Sequence, residues 1–187
     1  MEHLSALVVD AWRTARDRDW SVRAGTLEWN CTRTADHAVD TVFAPALFLA
    51  SRRLDAYPGG YGFKTPGPDA DPALLIEALE VATRVLVGVV KTAEPDVRAV
   101  IWRRPQVETR GGPEDFVPRG GMELILHAHD VCSGLGVSFR PPAALCERLR
   151  QHVEAWPYWG DGGWPHLAMT GDAWADLLHS SGRGDPL

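Results

Sequence analysis

Residues 122–134 read MELILHAHDVCSG. The segment is apolar apart from a few polar positions and is expected to be a helix. It should start near Gly121-Met122 and end before Gly134 or Gly136. Glu123 and His127 are four residues apart, so they share one helix face, and Asp130 follows three residues later on the same side. A buried carboxylate is costly unless it is paired or bound to a metal. Glutamate and histidine one turn apart are also how helical bundles build metal sites. Spacing alone leaves two readings open, a solvated helix face or half of a site. His129 lies on a different side of the wheel from Glu123 and is read as a packing or surface histidine.

Working outward from this segment, the rest of the chain is also helical in pattern. Leu4, Leu7, Val8, Ala11, Trp12 and Ala15 mark an amphipathic helix over residues 3–18. A second helix, capped by Asn30 or Thr32, runs to about Leu54 and is kinked or broken at Pro45. Asp71-Pro72 opens a third, with Leu75, Leu79, Ala82 and Leu86 on its apolar side, to about Lys91. Pro141-Pro142 opens a further helix over about 142–156, and one short helix is expected near 171–179. Residues 55–71, DAYPGGYGFKTPGPDAD, hold four glycines and three prolines and read as a long loop. Residues 97–102 suggest a short extended piece, and 103–120 read as irregular. The fold class expected is all-α, a bundle with long crossovers over residues 1–155. A tryptophan-rich segment, 156–187, is expected to pack on it.

Bulk composition narrows the partners. Hydrophobic residues make up 45% of the chain and charged residues 24%, as in ordinary globular proteins. The net charge of −6 and the lack of a basic run argue against nucleic acid or anionic membranes as partners. No apolar stretch approaches the length of a membrane span. Cys31, Cys132 and Cys146 form no disulfide framework, which fits a reducing, cytoplasmic setting. The start, MEHLSALVVDAW, does not resemble a signal peptide.

His37 sits in RTADHAVD, beside the apolar stripe of the second helix. The surrounding TLEWNCTRTADHAVD resembles the W-x-C-x-x-T-x-x-H segment of the DinB-like superfamily. More closely, it resembles the N-terminal domain of the mycothiol-dependent maleylpyruvate isomerase family. MELILHAHDVCSGLG resembles that family's E-x3-H-x-x-D segment, in the same order and at a similar separation.

The resemblance implies a four-helix bundle that binds a divalent metal, zinc first, with nickel or iron(II) also suited to the donors. It implies His37, Glu123 and His127 as ligands and Asp130 as the residue behind them. It also implies a low-molecular-weight thiol such as mycothiol as co-substrate and a small electrophile as substrate. The full isomerase carries a second domain that completes its substrate site, for which this length leaves no room, so maleylpyruvate isomerisation itself is not expected.

Three protein ligands leave a coordination position open, and a thiol bound there is deprotonated and can attack an electrophile or conjugated double bond. Arg33 and Arg119 are candidates to hold a substrate carboxylate. Cys31, near a helix start, is read as buried and inert. Metal-dependent hydrolysis and a non-catalytic binding bundle are the alternatives, and a homodimer is left open.

Overall fold

The computed structural model describes residues 1–55, 67, 69–104, 107–154 and 170–183. The chain is mostly helical, as its periodicity implies, with α1 (Glu2–Thr14), α2 (Cys31–Ser51), α3 (Pro72–Thr92), α4 (Pro113–Gly134), α5 (Ala143–Glu154) and α6 (Ala173–Ser180). A two-stranded antiparallel hairpin, β1 (Ala99–Arg104) and β2 (Val107–Gly111), lies between α3 and α4. No helix among the described residues is long and apolar enough to cross a membrane.

Two compact units divide the chain, Met1–Phe139 and Arg140–Leu187. In the first, α2 packs against α3 and α4, and α1 packs against both α3 and α4. Val8 and Trp12, Val39 and Val42, Leu79 and Leu86, and Leu124 and Ile125 are all fully buried between these helices. Buried Thr83 Oγ1 also donates to Ser5 Oγ at 2.9 Å, joining α3 to α1 by a satisfied polar contact. In the second unit α5 packs with α6. Asp172 caps α6 by accepting from the backbone N–H groups of Trp174 and Ala175. Trp174 is buried, while Trp156, Trp159 and Trp164 lie outside the described residues.

Local chemistry sets the helix limits. Asn30 caps α2, its side chain accepting from Arg33 N at 2.8 Å, and Asp71 caps α3 with Pro72 in the first turn. Helix α1 stops at Thr14, short of the expected residue 18. Trp20 folds back so that its Nε1 donates to Ala15 O, the C-cap carbonyl, at 3.0 Å, alongside the Arg18 N–H that also donates to it. Helix α2 runs unbroken through Pro45 and ends at Ser51, with Arg52 in the left-handed region at φ 52°.

Two expectations for residues 97–120 need correction. A hairpin takes up the expected extended piece and the first part of the stretch read as irregular, and it is tied to the end of α2, with Val100 N donating to Arg53 O at 2.8 Å. Helix α4 begins at Pro113, not near Gly121. Asp115 folds back to accept from Gly112 N at 2.9 Å, and Pro113 sits where a missing N–H costs nothing.

The glycines that read as a helix start lie inside α4, and Gly120 there faces α2 and α3. A Cβ on Gly120 would lie 3.2 Å from Leu86 Cδ2, 3.6 Å from Thr41 O and 3.7 Å from Pro45 Cγ. Pro45 has no N–H to give Thr41 O, so α4 approaches α2 where the ladder is interrupted.

Candidate metal centre

This close approach brings α2 and α4 together one turn from His37 and one turn from Glu123. One ligand atom each from His37, Glu123 and His127 falls in a group whose members all lie within 4.8 Å of one another. His127 Nε2 is 3.5 Å from Glu123 Oε2. Tetrahedral zinc with bonds of about 2.0–2.2 Å places neighbouring donors roughly 3.3–3.6 Å apart, so this pair suits a shared ion. The His37 and His127 rings meet edge to face, with centroids 4.9 Å apart at 79°.

Each donor is prepared by a neighbour. His127 Nδ1 lies 3.2 Å from Asp130 Oδ2. Asp130 is 2% exposed and His127 9%, so this contact is shielded from water. With Nδ1–H donating to Asp130, the Nε2 lone pair would be left for a metal, the usual support for a metal-bound imidazole; without an ion, a protonated Nε2 faces the Glu123 carboxylate instead. Glu123 Oε1 accepts from Arg119 Nη1 at 2.6 Å, which leaves Oε2 for the side facing His127. Burial alone would push the Glu123 carboxyl up. The hydrogen bond with His127 and the Arg119 guanidinium outweigh it and hold the carboxyl down to about 2. Burial, with His127 beside it, lowers the His37 pKa and favours the neutral imidazole a metal needs.

Arg119 therefore lies inside α4, not in a loop ahead of it, and the carboxylate it holds is that of Glu123. Arg33 is exposed on α2, with its guanidinium carbon 4.3 Å from the Trp29 ring centroid. Trp29 in turn meets His37 edge to face at 5.2 Å. Sequence reasoning gave Trp29 no role, although it lies in the quoted motif, eight residues ahead of His37 and four ahead of Arg33. Trp29 lies just ahead of the cap Asn30, outside α2, and its ring meets Arg33 and His37 of the helix's first turns. His129 stands outside the triad.

Cys31 is fully buried at the start of α2. Burial, with Asp19 nearby, pushes its thiol up to about 11, so the helix terminus does not activate it. The loop expected over 55–71 falls largely outside the described residues. Its Gly67 N–H donates to Asp36 Oδ1 at 2.9 Å, beside His37.

The arrangement offers two imidazoles and one carboxylate, a donor set that accepts zinc, nickel or iron(II). Comparison with protein-family models, with curated proteins and with solved structures finds no match.

Proposed function

We propose that the chain is a metal-dependent enzyme on a DinB-like four-helix bundle formed by α1–α4. It would activate a low-molecular-weight thiol such as mycothiol for S-transfer to, or isomerisation of, a small electrophile in the cytoplasm. One observation carries this reading: His37, Glu123 and His127, from two helices far apart in sequence, bring ligand atoms within 4.8 Å of one another. Zinc is the metal proposed first, with nickel or iron(II) as substitutes.

The roles of the chain's own residues follow from the contacts. His37 Nε2 or Nδ1, His127 Nε2 and Glu123 Oε2 would hold the ion. Asp130 keeps the His127 ring oriented, and Arg119 keeps Glu123 ionised. Trp29 walls the His37 side, and Arg33 above it is placed to meet an anionic group. A bound divalent ion supplies the Lewis acidity that deprotonates a thiol at neutral pH. In S-transfer the sulfur bonds to the electrophilic carbon, the thiol proton passes to solvent and the leaving group departs with its electron pair.

A second reading draws on the contacts Arg119–Glu123 and His127–Asp130, which also satisfy this polar cluster without an ion. It makes the chain a non-catalytic bundle that binds a small molecule or a partner. Metal-dependent hydrolysis is less favoured, since Glu123 as ligand and Asp130 behind His127 leave neither free as a general base.

The test is elemental analysis of untagged protein for the parent and for His37→Ala. Stoichiometric metal in the parent, lost in the variant, is the expected result; a metal-free parent overturns the enzymatic reading. The loaded protein is then incubated with mycothiol and a panel of electrophiles and the products weighed by mass spectrometry. No conjugate across the panel selects the binding bundle.

A further inference from the structure

Helix α3 turns one face to α1, α2 and α4 and leaves an apolar stripe on the other. Among the described residues five large hydrophobic side chains are exposed, and three belong to this stripe: Leu74 at 52%, Val81 at 37% and Val85 at 37%. Ala78 and Gly88 lie on the same arc at about 100° per residue. A Cβ on Gly88 would meet nothing within 4 Å, so the stripe is open there.

The charges along this face divide into two groups. Glu80 and Lys91 are engaged with α1, through Arg13 at 2.9 Å and Glu2 at 3.3 Å. Glu77 and Arg84, both exposed, form no salt bridge among the described residues. They are seven residues apart, two helical turns, and so lie on the same edge of the stripe.

We propose that this face docks a second copy of the chain, with α3 antiparallel to its counterpart across a two-fold axis at Val81. Such an axis keeps each edge of one helix beside the same edge of the other. Glu77 then lies within one residue's rise of Arg84 of the second copy, and Arg84 of its Glu77, so the unpaired charges are satisfied twice over. The apolar positions are self-complementary in the same register. Val81 meets its own copy, Leu74 faces the gap at Gly88, and Val85 faces Ala78. Large side chains opposite small ones are what an isologous helix pair requires.

The test is sedimentation of the full-length chain across a concentration series. The parent is expected to be a dimer, and Val81→Glu, which sets two carboxylates face to face on the axis, a monomer with unchanged helical circular dichroism. Arg84→Glu should weaken the dimer at least about a hundredfold, and Glu77→Arg added to it should restore association. Val81→Cys should give a disulfide-linked dimer under mild oxidation, since only residue 81 meets itself. A monomeric parent, or a dimer indifferent to Val81→Glu and the charge reversals, overturns the proposal.

Discussion

His127 Nδ1 lies 3.2 Å from Asp130 Oδ2, within one turn of α4, so a buried carboxylate faces one nitrogen of that ring while the other, Nε2, faces Glu123. Asp130→Asn keeps the shape and removes the charge. It should weaken zinc binding about ten- to hundredfold, measured by competition with a chelating dye. Unaltered affinity would assign Asp130 a packing role alone.

Arg119 should control the acid limit of the metal-free protein. The folded pKa of Glu123 is depressed to about 2, so its ionised form stabilises the fold above the unfolded value of 4.5 and that contribution is lost as pH falls toward 2. In Arg119→Gln burial remains while the guanidinium is gone, so protonation should move to higher pH. Carboxyl-detected NMR of Glu123 would follow the shift directly.

Gly134→Ala should be severely destabilising. A Cβ there would clash with Arg23 O and lie 2.7 Å from Cys31 Sγ and 3.0 Å from Ala24 Cα, and a backbone carbonyl cannot rotate away. The expected loss is about 3 kcal/mol by urea denaturation. Because residues 23–30 include Trp29 and lead directly into α2, any folded fraction should also bind metal less tightly.

All three cysteines should be silent toward Ellman's reagent at pH 8 in the native protein and react fully in denaturant. Cys31, Cys132 and Cys146 are buried, and burial pushes their thiols up to about 11, 12 and 11. One fast-reacting thiol in the native protein would contradict this.

Much of the helical layout was legible because it rests on local chemistry. Asn30, Asp71-Pro72 and Pro141-Pro142 announce helix starts through their own side chains, and Leu4, Val8 and Trp12 carry the period of a buried face. The pair Glu123 and His127 was visible as one helix face, but spacing could not join it to His37, which lies on another helix. The beginning of α4 was hidden for the opposite reason. Pro118, Gly120 and Gly121 are breakers by local preference, yet they are helical here, inside a helix that packs against α2 and α3. Trp29 was missed because its role is a contact across a turn with Arg33 and His37, for which a lone tryptophan gives no signal.

The contact of Gly120 with Thr41 and Pro45 has a further consequence. It involves main chain and a proline ring, neither of which can swing aside as a rotamer does, so it limits the side chain that residue 120 can carry. That limit lies in the same seam as the donors, one turn from His37 and one turn from Glu123. Residue 120 is therefore a dial: alanine keeps ordinary contact with Thr41 and Pro45 and presses only on the Leu86 side chain, whereas a side chain as large as leucine would have to part α2 from α4 and with them His37 from the Glu123–His127 pair.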